Sequence, residues 1–404
     1  MYTGISQSQR MDKIRSDIRG PIYLEALALE EQGEKVLKLN TGNPASFGFT
    51  MPDSVRRALV ENVDKAVAYC DLRGMPAARR AILEYHTGKG IQGLTMDDIF
   101  VGNGVSELAE MAASTFLDPG DELLVPCPCY SLWSNSAHLC EARPVYYRLD
   151  EESLWYPDVA DIERKITPRT KAIVIINPNN PTGAVYSRQV LLDILDVARR
   201  HHLLVCSDEI YDRLVMDDLV HDSCAALAPD VPVLTFNGLS KSHIICGFRC
   251  GWVTLSGPKG SLDQVRSGLV QLASLRLCGN ALTQLVIPAA LSDTESTRAM
   301  LVPGGRLYEQ RRAAMEILQH SDAVSCVPNS AAFYVFPKID AKRFHIEDDR
   351  EFALGLLRSK HILIVPGSGF DYPEPDHLRI VMLPRPDELK TAMQQLHEYL
   401  VSRE

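Results

Sequence analysis

The chain has 404 residues, and 42 Lys and Arg against 52 Asp and Glu give a formal net charge of −10. With 46% hydrophobic and 23% charged residues the composition is that of an ordinary globular protein, which excludes disorder, collagen and low-complexity architectures and leaves room for two or three domains. The acidic balance and the lack of a long Lys/Arg run argue against a nucleic-acid footprint or an anionic-membrane anchor, so the expected partners are small molecules.

No stretch approaches the roughly 18 consecutive apolar residues of a membrane span. The start, MYTGISQSQRMDKIRSD, lacks the apolar core of a signal peptide, and a cytoplasmic location is expected. Ten cysteines are scattered along the chain without disulfide-framework or paired CxxC spacing, which predicts reduced, mostly buried thiols. His243, Cys246 and Cys250 can be drawn as a metal fragment, but no fourth ligand with suitable spacing accompanies them and no metal is expected.

In chain order, the first 50 residues read as an arm, DIRGPIYLEALALEEQ, and then a strand ending at LNTGNP, a segment expected to pack with the C-terminal part. Between about 95 and 255, the apolar runs IFVGN, DELLVP, KAIVIINP, LLVCSDE, VLTFNGL and GWVTLS alternate with helical patterns. Such runs, lacking polar alternation, predict strands buried on both faces, the mark of a mostly parallel sheet covered by helices. Val190, Leu191, Ile194, Leu195 and Ala198 recur at helical spacing and predict a helix over 188–202, with Arg188, Asp193, Asp196, Arg199 and Arg200 facing solvent. Farther on, PGGRLYEQR at 303–311 opens a helical stretch, AAFYVFP and ILIVPG read as strands, and a terminal helix is expected near 386–401. The expected fold is α/β, with a large sheet domain over 51–295 and a smaller α+β domain built from 1–50 and 296–404.

Three polar clusters follow three consecutive buried runs: NPNNPTG from Asn177 to Gly183, SDEIY from Ser207 to Tyr211, and GLSK from Gly238 to Lys241. All three fall at carboxyl ends of predicted strands, the edge where open parallel sheets bind ligands, so Asn180, Asp208, Tyr211 and Lys241 are expected to share one pocket. Each cluster has a plainer reading: NPNNPTG as a turn, Asp208 as a helix cap, Lys241 as a solvated charge. Their joint occurrence in this order favours the pocket.

Taken with GNGVSE (102–107), PCPCYSLW (126–133), SKSHIICGFR (240–249) and HLRIV (377–381), these clusters make the chain resemble the fold-type I pyridoxal-5′-phosphate aminotransferases of the aspartate aminotransferase superfamily. The segments DIRGP (17–21), TGNP (41–44), NGLSK (237–241), RLC (276–278), PGGRLYEQR (303–311) and FPKID (336–340) look like the alanine aminotransferase branch. The resemblance implies a seven-stranded-type sheet in the large domain and pyridoxal phosphate as cofactor.

It also implies roles. Lys241 would carry the cofactor through a Schiff base and shuttle the substrate proton. Asp208 would keep the pyridine nitrogen protonated, Asn180 and Tyr211 would donate to the phenolic oxygen, and Tyr130 would stack on the ring. Gly104, Val105 and Ser106, opening a helix, would hold the phosphate together with Arg249 and Ser240. Tyr69 would reach the phosphate of a neighbouring subunit, implying a homodimer with shared sites, although a packed core tyrosine is the alternative. Arg379 would bind the substrate α-carboxylate, with Gly42, Asn43, Asn180 and Arg19 at the same end, although a structural arginine is the alternative.

The implied activity is ping-pong transfer of an amino group from an L-amino acid, best matched by alanine, to a 2-oxo acid, best matched by 2-oxoglutarate. A specialised-pathway transamination, β-elimination on the same cofactor, or a non-catalytic regulatory protein of the same fold are the rivals. Ser16, Cys129, His243 and Ile244 depart from the branch pattern near the pocket, so the reaction type is better defined than the side-chain preference.

Overall fold

The computed structural model describes residues 4–404. The run KAIVII forms a strand covered on both sides: Ala172, Val174 and Ile176 enter one apolar cluster with helices Val105–Phe116 and Asp263–Leu275, while Ile173 and Ile175 enter another with helix Arg188–Arg200. Alternate residues therefore serve two cores, which is why no polar position interrupts the run. The helix predicted over 188–202 ends at Arg200. Leu191, Ile194, Leu195 and Ala198 are buried along it as expected, and the Ser187 side chain caps its start.

Numbered along the chain, β1 is Leu37–Lys38, and the central sheet comprises β2 (Ile99–Gly102), β3 (Glu122–Cys127), β4 (Arg143–Asp150), β5 (Tyr156–Pro157), β6 (Thr170–Ile176), β7 (Leu204–Asp208), β8 (Val233–Gly238) and β9 (Gly251–Ser256). Their spatial order is β2-β9-β8-β7-β6-β3-β4-β5. Strands β8, β7, β6, β3 and β4 run parallel, β9 is antiparallel to both its neighbours, and β5 adds a two-residue antiparallel edge to the seven-stranded body.

The remaining strands are short: β10 (Val324–Ser325), β11 (Tyr334–Val335), β12 (Lys338–Ile339), β13 (Ile362–Leu363), β14 (Val365–Pro366) and β15 (Leu378–Val381). β11, β15 and β14 form one antiparallel sheet, and β1 from the start of the chain pairs in parallel with β13. Leu378 and Ile380 of β15 point into the core beneath helices Arg306–His320 and Pro386–Val401. Val381 instead joins Tyr211 and Tyr334 in a separate cluster, so the strand presents opposite faces to core and pocket. All ten cysteines are free, but only Cys129, Cys206, Cys224 and Cys250 are buried, so burial of the thiols is less general than expected. No helix among the described residues is long and apolar enough to cross a membrane.

Candidate active site

Because β6, β7 and β8 are parallel neighbours, NPNNPTG, SDEIY and GLSK open side by side at one edge of the sheet. Asp208 is the last residue of β7 and is buried. Its carboxylate accepts from Trp133 Nε1 and from the Ile210 amide, each at 3.3 Å, and meets no cation among the described residues. Burial, reinforced by the neighbouring Glu209 charge, raises its pKa to about 6. No helix follows β7 directly, so the helix-cap reading of Asp208 fails.

The Lys241 ammonium donates to the Gly42 carbonyl at 3.0 Å and lies 3.9 Å from Cys246 Sγ; the solvated-charge reading therefore fails too. Burial pulls its pKa down, and Tyr334, Cys246 and Tyr130 outweigh that pull, leaving it above the ordinary lysine value. Tyr211 is buried, and its hydroxyl shares a 3.0 Å hydrogen bond with that of Tyr334. Burial, with Tyr334 beside it, holds the Tyr211 phenol well above its ordinary pKa.

Arg379, on β15, is 1% exposed. Nη1 donates to Asn180 Oδ1 at 3.3 Å, Nη2 donates to the Asn40 carbonyl, and Nε has no partner. Its guanidinium lies over the rings of Tyr334 and Phe370, at 4.6 and 4.8 Å from their centres, and pairs with no carboxylate among the described residues. Burial lowers its pKa, with Tyr334, Tyr211 and Tyr130 opposing. The Asn180 carbonyl accepts from the Tyr130 amide at 3.1 Å, which fixes Tyr130 beside the NPNNPTG turn. Gly42 is packed so closely that a β-carbon there would collide with the Tyr334 hydroxyl.

Gly104 precedes helix Val105–Phe116 at φ 93°, and no side chain caps that helix start. The Arg249 guanidinium packs on Gly104 where a β-carbon would sit, and Gly251 packs equally tightly on the Val105 amide. The uncapped helix start, with Ser106 in its first turn, therefore lies beside the arginine, an arrangement suited to an anion. Ser240 is buried beside Lys241.

Three predicted positions are less engaged. The Asn43 amide donates to Ser46 at 2.8 Å, Arg19 is exposed on the arm without a side-chain hydrogen bond among the described residues, and Tyr69 is 80% exposed, which rules out its packed-core alternative. The arm is nonetheless tied to Arg379, because Asn40 Nδ2 donates to the Ile18 carbonyl at 2.7 Å. Trp133 and Tyr334 were not singled out by sequence reasoning. Trp133 belongs to PCPCYSLW and Tyr334 to AAFYVFP, so both segments carried a signal, but it is the β11–β15 pairing that brings Tyr334 to the site.

Residues 34–396 match the family model for aminotransferase class I and II, and the chain belongs to that family. It is an aminotransferase. It is 48% identical over 396 residues to the glutamate-pyruvate aminotransferase AlaA of Escherichia coli strain K12, covering 98% of each chain. Its fold superposes on a crystal structure of an aminotransferase from Escherichia coli with a TM-score of 0.98 at 47% identity, covering both chains fully. It also superposes on the alanine aminotransferase of Pyrococcus furiosus with a TM-score of 0.92 at 37% identity, over 98% of this chain and 100% of that one.

Proposed function

We propose that the protein is a pyridoxal-phosphate-dependent alanine aminotransferase, moving the amino group of L-alanine to 2-oxoglutarate to give pyruvate and L-glutamate. The observation that carries this reading is the pair of unmatched buried charges contributed by two different sheets, the Asp208 carboxylate at the end of β7 and the Arg379 guanidinium on β15. A buried charge without a partner is costly, and each is relieved by a ligand group of opposite sign: a protonated ring nitrogen at Asp208, an α-carboxylate at Arg379. The full-length similarity to a glutamate-pyruvate and an alanine aminotransferase supports the choice of substrates.

The residues present fit the cofactor. Gly104, Val105, Ser106, Arg249 and Ser240 would hold its phosphate, Tyr130 would cover the ring, and Asn180 and Tyr211 would donate to the ring oxygen. When bound, the group supplies an electron-withdrawing ring and a carbon that accepts the amine nitrogen. Asp208 would hold the proton on the ring nitrogen. Lys241 would anchor the group through Nζ and, once free as an amine, would carry the proton from the substrate Cα to the carbon that accepts the amine nitrogen. Arg379, with Asn180, orients the substrate carboxylate, while Gly42, Asn43 and Arg19 bound the same end.

Exposed Val63, Val67 and Tyr69 adjoin exposed Leu277 and Leu282, an apolar patch that supports a homodimer in which Tyr69 reaches the partner's phosphate site. The domain division at 51–295 against 1–50 with 296–404 and a cytoplasmic location belong to the same proposal, the latter supported by ten free thiols.

The test is a panel of amino donors with 2-oxoglutarate or pyruvate as acceptor, followed by borohydride reduction and peptide mapping. Alanine with 2-oxoglutarate should yield pyruvate and glutamate, and the reduced cofactor should map to Lys241. Inert alanine beside an active aromatic donor would overturn the substrate. Pyruvate and ammonia released without an acceptor would indicate elimination, and label on another residue would overturn the site.

A further inference from the structure

Asp208 and Tyr211 each adjoin a second, buried acid, Glu209 and Asp212. One cation serves both acids. Lys89, at the C-terminal end of helix Pro76–Gly88, donates to Glu209 Oε2 at 3.0 Å and to Asp212 Oδ2 at 2.9 Å. The remaining lone pairs are taken up too: Ser207 and Ser223 donate to Glu209 at 3.0 and 2.7 Å, and Asn237 and the Tyr85 hydroxyl donate to Asp212. His221 extends the network, with Nδ1 3.3 Å from the Lys89 ammonium and Nε2 3.0 Å from the Asn177 carbonyl.

The partners of this hub lie at three strand ends. Asn177 follows β6 and precedes Asn180, Glu209 follows Asp208 at the end of β7, and Asn237 near the end of β8 precedes Lys241. One ammonium and two carboxylates therefore tie together the three segments that meet at the pocket. Their mutual geometry is fixed by polar bonds in a water-poor environment, where such bonds are strong and a missing partner is costly.

We infer that Lys89 is a positioning residue for the cofactor site: by holding Glu209 and Asp212 it locks the three strand ends into one unit and balances the charge that Asp208 experiences. The inference rests on the pyridoxal-phosphate reading above. The surrounding groups leave Lys89 the central balancing charge. Burial drives the His86 pKa down to about 4, so that ring is neutral near pH 7 and accepts from Trp252 Nε1, while burial followed by the Lys89 charge lowers His221. Burial keeps Tyr85 protonated, and Arg213 lies over its ring at 4.6 Å as the second cation. Glu209 and Asp212 are pushed up by burial and brought back below their ordinary values chiefly by Lys89. Without the ammonium, Asp208 would face an uncompensated neighbour, and groups paired with it would hold their protons to higher pH.

The experiment compares wild type with Lys89→Met, Lys89→Arg and the double variant Lys89→Met/Glu209→Gln. Three quantities are read: melting temperature, the dissociation constant of pyridoxal phosphate for cofactor-stripped protein, and the pH midpoint of visible absorbance after reconstitution. Lys89→Met should bind pyridoxal phosphate at least about tenfold more weakly and shift the midpoint to higher pH, Lys89→Arg should stay within about threefold of wild type, and the double variant should recover the midpoint. An unchanged dissociation constant and midpoint in folded Lys89→Met would overturn the inference. If Lys89→Met yields no folded protein, the double variant decides: a wild-type midpoint supports the inference, and a displaced one overturns it. A wild type that binds no pyridoxal phosphate would instead sink the parent reading, a distinct result.

Discussion

Arg379 and Tyr334 form a cation–ring pair, with the guanidinium 4.6 Å from the ring centre and the tyrosine hydroxyl sharing a 3.0 Å hydrogen bond with that of Tyr211. The pairing of β11 with β15 places them together, and Gly42 leaves the space that the hydroxyl fills. Losing the charge-assisted contacts should cost about 3 kcal/mol, so Arg379→Ala should lower kcat/KM for amino acids roughly a hundredfold. Arg379→Lys should recover only part of this, because an ammonium lacks the planar fork. Steady-state kinetics with the best donor check it; an unaltered kcat/KM would assign the arginine a structural role.

Asp208 makes stability depend on pH in a defined direction. Its carboxyl pKa is raised from 3.8 to about 6, so its ionised form opposes folding. The cost is fully present above the raised value and disappears as pH falls below the unfolded value. Stripped of cofactor, Asp208→Asn should therefore melt above wild type at pH 8, with the difference closing towards pH 4. Loaded with cofactor, the same variant should lose turnover on the order of a hundredfold or more if Asp208 is the proposed electrostatic partner of the ring. Thermal melts across pH and a turnover assay measure the two effects independently.

Gly104→Ala should be harmful twice over. The residue sits at φ 93°, where a side chain is strained, and its β-carbon would displace the Arg249 guanidinium. A stability loss of about 1–2 kcal/mol and at least a tenfold weaker phosphate-dependent affinity for the cofactor are expected. Calorimetry and a cofactor titration would show them; wild-type affinity would remove this cradle from the site.

His377 is buried in a box of Trp155, Phe336 and Tyr372, with Nδ1 2.6 Å from Asp376 and Nε2 3.4 Å from Glu151. Burial opposes its charge, and the two carboxylates outweigh burial, leaving the pKa above 6.5. A histidine with a raised folded-state pKa stabilises fully below its unfolded value and loses that contribution as pH rises through the folded one. His377→Gln should therefore lower the melting temperature more at pH 6 than at pH 9. Equal losses at both would mean that the ring acts only by packing.

If the sites are shared, two dead variants should rescue each other. Mixing Tyr69→Ala with Lys241→Ala subunits creates dimers in which one site combines an intact lysine with an intact tyrosine. Refolding them together should restore activity that neither variant has alone; no gain over the separate proteins would argue against the crossing of Tyr69.

The sheet edge was legible because β6, β7 and β8 are largely apolar runs, each ending in a polar cluster, and the three clusters open side by side. The 386–401 helix was legible for a different reason, the helical spacing of Leu389, Ala392, Met393, Leu396 and Leu400, all of which are buried. What escaped notice depends on register and long-range geometry. β11, β13 and β14 are two residues each inside the runs AAFYVFP and ILIVPG that read as strands, but nothing in those runs says which strand pairs with which, so the β11–β15 pairing that brings Tyr334 to Arg379 could not be read from them. β4, RPVYYRLD, is only partly covered and carries charges at both ends, unlike the runs that were recognised. Lys89 lies far along the chain from Glu209, within a segment that reads as an ordinary helix end.

The parallel pairing of β1 with β13 orders events during synthesis. Leu37 has no strand partner until Ile362 has been made, whereas every strand of the central sheet lies between 99 and 256 and meets its neighbours early. A ribosome-bound chain can thus assemble the floor that carries Asp208 and Lys241 while Arg379 is still inside the exit tunnel, so on the proposed roles the grip on the substrate carboxylate arrives after the grip on the cofactor.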